Sequence, residues 1–307
     1  MTPLVTPFSF DRCAVALAFS AAIWPSLATG LLPPTETSAV PARDPDQTVE
    51  TGEPHPNLAL RNTLIISTGV GMVWTYGKRQ WWSDGFDGRF ESERENWFGP
   101  HTRHGGADKL GHAYGNYTGV RWLTPLFEAA GNNRRTSLSL AAWSTLLTYS
   151  AVEVADGYSR KYRFSGEDFI SNVGGTLFGL LMERSPRLDE ILDFRFGYKR
   201  SSWESESDPF GDYSGQRYLL VVKADAFAAL RGNLVTRYLE ASAGYGVNID
   251  NAGLQRNKYF GLGLNLSRLI ADGFYGGRRN SNALQNGADR VFELVQFPSA
   301  IYARQGI

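Results

Sequence analysis

Gly105-Gly-Ala-Asp-Lys-Leu-Gly-His-Ala-Tyr-Gly-Asn-Tyr117 is the run from which the rest of the chain can be read. On a helix, Asp108 and His112 stand four residues apart and share a face. Beside them Gly111, Gly115 and Gly119 form a stripe of small residues along which a neighbouring helix can approach closely. A second helical segment ends in Glu153-Val-Ala-Asp156-Gly-Tyr-Ser159. Its two carboxylates sit where the helix dipole disfavours negative charge, so something must compensate them. A third begins Phe164-Ser165-Gly-Glu-Asp168, a capping-box pattern, and carries Asn172, Gly175 and Gly179 on the stripe of Asp168.

Burying carboxylates is costly unless cations, donors or a metal meet them. The three faces are therefore expected to converge on one enclosed cluster of Asp108, His112, Glu153, Asp156, Asp168 and Asn172. Lys109, Ser165 and Tyr117 are further binding candidates. Three chemistries fit these residue types. An oxygen-rich metal site with one imidazole suits Mg, Mn, Ca or non-haem Fe better than structural zinc. An acid/base site would use His112, oriented by Asp108 or Glu153 and supported by Asp168. A structural network would neutralise the acids with Lys109, Arg121, Arg160 and Lys161. The sequence names neither a metal nor a cofactor.

Periodicity places four helices at about Leu58 to Tyr76, Ala107 to Ala129, Arg134 to Gly157 and Gly166 to Glu183. The longest uncharged run, Thr136 to Val152, falls short of the roughly 20 residues a spanning helix needs. After Pro186 the pattern alternates. In Tyr238 to Val247, Leu239, Ala241, Ala243, Tyr245 and Val247 share one face. In Tyr259 to Leu266, Phe260, Leu262, Leu264 and Leu266 oppose Gly261, Gly263 and Asn265. Phe194 to Tyr198, Tyr218 to Phe227 and Val291 to Phe297 are weaker strand candidates, a polar linker spans Ser201 to Gln216, and Ser267 to Arg290 reads as a long loop. About five strands do not close an eight-stranded barrel, so a sheet packed on helices is expected.

Ahead of the helices, Asp11 and Arg12 precede the uncharged run from Cys13 to Trp24, followed by Pro25 and Ser26-Leu27-Ala28. This is the pattern of a signal peptide. Pro33, Pro34, Pro41, Pro45, Pro54 and Pro56 then punctuate a polar stretch that reads as a disordered tether. The division is thus 1–28 signal peptide, 29–57 tether, 58–186 helical domain and 187–307 β-rich region: an α+β chain with a four-helix domain followed by a small antiparallel sheet.

The 307 residues hold 31 basic and 31 acidic side chains, which removes the basic excess expected of a nucleic-acid binder. Cys13 is the one cysteine, so a chain without its signal peptide has no disulfide, catalytic thiol or Cys-ligated zinc. No nucleophile elbow or phosphate-binding glycine loop occurs. His101, His104, Asp108 and His112 space as H-x2-H-x3-D-x3-H, but Gly105 and Gly106 break any single helix. Trp81 to Trp97 mixes aromatics with Asp84, Asp87, Glu91, Glu93 and Glu95, a composition that stacks on a sugar ring, sits at a lipid headgroup layer or forms a plain surface loop.

With those residues in view, about Trp97 to Glu183 resembles the YfiM-like predicted periplasmic lipoproteins, a family of unknown function. Gly106 to His112, Glu153 to Gly157, and Phe164 to Asp168 with Asn172 and Gly175 carry the likeness. A more distant similarity is to VanZ-like membrane proteins, whose Asp-Lys-x-x-His run, acidic helix and Ser-x-x-Asp-x-x-x-Asn pattern correspond to Asp108, Lys109, His112, Glu153, Ser165, Asp168 and Asn172. A lipid-attachment cysteine is missing from the lipoprotein pattern here. The resemblance implies an envelope location and a helical domain, and no reaction.

The expectation is an exported protein of the periplasm or outer membrane, in contact with a membrane, that binds or organises envelope lipid or glycan through the polar cleft. Two rivals stand beside it. One is a hydrolase or transferase acting on a lipid-linked or glycan substrate. The other is a structural partner of an outer-membrane assembly, engaged through the C-terminal strands. Nucleic acid is not an expected partner.

Overall fold

The computed structural model describes residues 56–202 and 208–307. The signal-peptide reading and nearly all of the tether lie outside the described residues. The four expected helices are present, in order and with close to the expected bounds: α1 Leu58–Gln80, α2 Ala107–Ala129, α3 Arg134–Tyr158 and α4 Gly166–Arg184. Four shorter helices raise the number to eight among the described residues: α5 Pro186–Ile191, α6 Ala228–Arg231, α7 Leu266–Phe274 and α8 Ala283–Leu294.

Two of these correct the sequence reading. The stretch expected as a long loop after Ser267 holds α7 and most of α8, because asparagine starts both helices. The Asn265 side chain accepts from the Arg268 N–H and that of Asn282 from the Gln285 N–H, satisfying donors that a helix start leaves open. The Val291 to Phe297 strand candidate is accordingly the end of α8 and the chain leaving it.

The sheet is an antiparallel meander in the order β3-β4-β5-β6-β7, with β3 Leu192–Tyr198, β4 Gln216–Lys223, β5 Leu239–Asp250, β6 Gly253–Leu264 and β7 Ala300–Gly306. The strands read from period two are β5 and β6, closed by a tight hairpin in which Asp250 faces Gly253. At Gly253 φ is +114°, a value that favours glycine. A second, two-residue ladder joins β1 Ser92–Glu93 to β2 Phe164–Ser165 in parallel.

Helices and sheet share one core. Tyr114 and Tyr117 of α2 and Met182 of α4 pack with Phe194 and Phe196 of β3, Tyr218 of β4 and Leu294 of α8. Tyr114 donates its hydroxyl hydrogen to the Leu294 carbonyl at 2.7 Å, which satisfies a polar tip inside an aromatic cluster. The α2 glycines allow close packing: a Cβ at Gly115 would lie 2.5 Å from the Tyr149 hydroxyl, and one at Gly111 would lie 2.9 Å from the Tyr218 hydroxyl. Gly175 of α4 is closer still, its Cβ position being 2.0 Å from the Ala113 carbonyl oxygen.

Ion pairs tie the helices to one another and the strands to one another. Arg121 meets Glu183, Asp189 and Glu293 at 3.0, 2.6 and 2.9 Å. Inside the sheet, Arg195 bridges Asp193 and Glu240 at 2.5 and 2.6 Å, and Lys223 meets Asp193 at 2.6 Å. The side chains of Leu220, Val222, Phe260, Leu262, Leu264 and Ile301 stay exposed instead. The helices therefore cover the sheet only in part. Among the described residues no helix is long and apolar enough to cross a membrane.

Candidate functional site

Two helices present matching ladders. On α2, Asp108, His112 and Asn116 recur every fourth residue, and on α4, Asp168, Asn172 and Thr176 do the same. One residue every four keeps each trio on a single face. The glycine contact at Gly175 lets the two faces meet. Both aspartates lie in the first turn of their helix, where the dipole favours a negative charge. Ser165 is the N-cap of α4, its hydroxyl oxygen accepting from the Asp168 N–H at 3.2 Å.

The pairs between the ladders are specific. Asn116 Nδ2 donates to Asn172 Oδ1 at 2.7 Å and to the His112 carbonyl at 3.0 Å. Thr176 Oγ1 lies 2.9 Å from the Asn172 carbonyl oxygen and 3.2 Å from Asn116 Oδ1. His112 Nδ1 is 3.1 Å from Asn172 Oδ1 and 3.3 Å from Glu153 Oε1. Both neighbours are acceptors, so Nδ1 carries a hydrogen in this arrangement. Glu153 comes from the last turns of α3 and is 2% exposed, whereas the imidazole keeps 22% of its surface.

Lys109 is buried among acids. Its ammonium lies 2.7 Å from Asp108 and 3.1 Å from Asp168 and also pairs with Glu95. Burial opposes a charge there, but Asp108 and Asp168 outweigh it and hold the lysine above its ordinary range. For His112, burial likewise favours the neutral ring, and Glu153, Asp168 and Asp108 reverse the balance, lifting it to about 9. Burial pushes the Glu153 carboxyl up, with the facing imidazole pulling partly the other way. Asp156 also rises, to about 6, through burial that a bond from the Trp82 indole at 2.6 Å only partly offsets. These partners are the compensation that the end of α3 required.

Several polar atoms remain without a hydrogen-bond partner: Asp108 Oδ1, Glu153 Oε1, Asp168 Oδ1 and Asn172 Nδ2. Above them runs the segment 81–106, which supplies Glu95 and leaves Phe86, Phe90, Trp97 and Phe98 exposed. Phe90 packs on Gly157 and Phe98 on Gly106, so aromatic rings border the ends of α3 and α2 beside the cluster.

The structure thus gathers Asp108, Lys109, His112, Glu153, Asp168 and Asn172, with Ser165 as cap and Asp156 nearby on Trp82. Tyr117 is placed elsewhere. It is fully buried against Phe178 and Phe194, on the side of α2 that faces the sheet. Of the cations expected to neutralise the acids, Lys109 does so, Arg121 serves the Glu183 cluster, and Arg160 and Lys161 are exposed. His101 is exposed and His104 stacks on Tyr213 at 4.1 Å, so the histidine spacing gathers no ligand set. Asn116 and Thr176 escaped the sequence reading although each is one more step of four along its ladder. Glu95 stands in the sequence reading only among the acids of the Trp81–Trp97 stretch, because its pairing with Lys109 depends on how a loop crosses the helices.

Residues 94–184 match the model of a family described as predicted periplasmic lipoprotein (DUF2279). The match runs from just before Glu95 to the last residue of α4, so it takes in the cluster described above and leaves out the sheet. That family is of unknown function, and an exported, envelope placement agrees with its description. The match does not extend to the VanZ-like similarity. No curated protein and no solved structure matches the chain.

Proposed function

We propose that this is an envelope protein that rests on a lipid surface and binds the polar part of an envelope lipid or glycan at the His112 pocket. One observation carries the reading. The buried acceptor Asp108 Oδ1 and the buried donor Asn172 Nδ2 lack partners beside a segment that exposes Phe86, Phe90, Trp97 and Phe98. Unsatisfied buried groups are expensive, and a hydroxyl-rich or headgroup ligand would satisfy them. Exposed aromatics at the rim stack on sugar faces or settle at headgroup depth. Binding fits better than hydrolysis with His112 as base, because an imidazole lifted to about 9 already holds its proton at neutral pH.

A second reading, assembly with a protein partner through the C-terminal strands, is favoured by a different surface. There β7 is the free edge of the sheet among the described residues, and Phe260, Leu262 and Ile301 beside it are exposed.

The test is co-sedimentation with phosphatidylethanolamine–phosphatidylglycerol vesicles, together with a tryptophan-fluorescence titration against soluble peptidoglycan fragments. Saturable binding to one of them is expected. His112→Gln and Asn172→Leu should weaken it at least tenfold in variants that still unfold cooperatively. No saturable signal with either probe, or variants that bind like the parent, would overturn the pocket reading.

A further inference from the structure

We propose that His112, Glu153 and Asp168 form a binding site for one divalent first-row metal ion, with manganese(II) as the reference ion. The donor set comes from three helices: α2 gives the imidazole, α3 one carboxylate and α4 the other. One ligand atom from each of the three lies within 4.8 Å of the others. Glu153 Oε1 and His112 Nδ1 are 3.3 Å apart. Two ligands at right angles on an ion, with bonds of about 2.1 Å, stand about 3.0 Å apart, so this edge is nearly set, and the third donor lies within 4.8 Å of both.

A group of acids alone would not carry this conclusion. The second observation is that Glu153 Oε1 and Asp168 Oδ1 belong to buried side chains and have no hydrogen-bond partner. What lies near them is a nitrogen in each case, His112 Nδ1 at 3.3 Å and Lys109 Nζ at 3.1 Å. The other carboxylate trio, Glu95, Asp108 and Asp168, has Lys109 against all three of its members. In the His112 trio Lys109 meets Asp168 alone, so that carboxylate would be shared between the ammonium and the ion. The hydrogen that His112 Nδ1 directs at Glu153 and Asn172 is one an ion can displace to solvent. One nitrogen and two carboxylate oxygens suit manganese, iron(II) or zinc better than calcium, which prefers an all-oxygen shell of six to eight ligands.

This site does not depend on the lipid or glycan reading, and it is tested with metal salts alone. Full-length chelator-treated protein is titrated with MnCl2, ZnCl2 and CaCl2 by calorimetry, and the manganese form is examined by pulsed electron paramagnetic resonance. The expected result is one saturable manganese site, bound at least tenfold more tightly than calcium, with hyperfine coupling to an imidazole nitrogen. Asp168→Asn should weaken it at least tenfold, and His112→Gln should abolish the nitrogen coupling. The spectrum of the parent protein reads the ligand set even where a variant fails to fold. No saturable manganese binding, or a bound ion without nitrogen coupling, overturns the proposal.

Discussion

At the scale of the residue, His112 ties the cluster to pH. Three carboxylates face its ring, Asp108 from its own helix, Glu153 from α3 and Asp168 from α4, while Lys109 lies among the same acids. Its folded value of about 9 is above the unfolded value near 6.5, so the folded state holds an extra proton between them. The stabilisation is complete below about pH 6.5 and is lost as pH rises through 9. Urea denaturation of chelator-treated protein should therefore show stability falling from pH 6.5 to 9.5, and His112→Gln should flatten that slope. A parent protein equally stable across the range would show that the carboxylates do not hold the imidazolium.

At the scale of the element, α2 and α4 are as close as glycine allows. Gly175→Ala would press a methyl group onto the Ala113 carbonyl, and the resulting shift should cost at least about 2 kcal/mol, in the range for overpacking. Next to it, Gly174 has nothing within 4 Å of its Cβ position. Gly174→Ala should stabilise by about 0.5–1 kcal/mol, the helical penalty of glycine. Thermal unfolding of the two variants measures both, and a Gly175→Ala protein as stable as Gly174→Ala would mean that the helices are not in contact there. This pair also shows what the sequence made legible. The recurrence of Gly111, Gly115, Gly119, Gly175 and Gly179 at helical spacing was enough to expect three tightly apposed helices with polar faces inward. It was not enough to say which glycine met which helix: Gly111 faces the sheet through Tyr218, and Gly119 meets Thr145. Tyr117 lies away from His112 for the same reason, because proximity along the chain says nothing about which side of α2 a residue occupies. The β5 and β6 strands were readable from strict alternation, whereas β7 was missed, and α7 and α8 were hidden by Gly and Asn that read as turn formers until their capping bonds are seen.

At the scale of the whole molecule, four short helices as well as the five-stranded sheet follow residue 185, and the parts before and after it share a core. Phe194, Phe196 and Tyr218 bury their rings against Tyr114 and Tyr117, and Leu294 closes the cluster from α8. Each buried aromatic of this size contributes roughly 1.5–3 kcal/mol. A chain ending at Pro186 would leave that face of α2 and α4 in water. It should lose its cooperative unfolding transition and bind a hydrophobic dye, as followed by circular dichroism and dye fluorescence. A sharply melting, dye-free fragment would show that the helices hold a core of their own.

The first part of the segment 81–106 is fastened mainly to one other piece of chain, and its second part to the sheet, where the Phe98 carbonyl accepts from Arg256 and the Gly105 carbonyl from Tyr245. Backbone bonds run from Asp87 to Tyr158, from Glu91 to Gly157, from Phe164 to Glu91 and from Arg160 to Gly85, and the β1–β2 ladder is only two residues long. Such a short exposed ladder belongs to the low end of local stabilities. The amides that hold it should exchange with deuterium as a group and well before those of α2. Group exchange at those amides would place the rim at Asp87 and Glu91 among the parts that open without global unfolding, and exchange as slow as that of α2 would place it in the core.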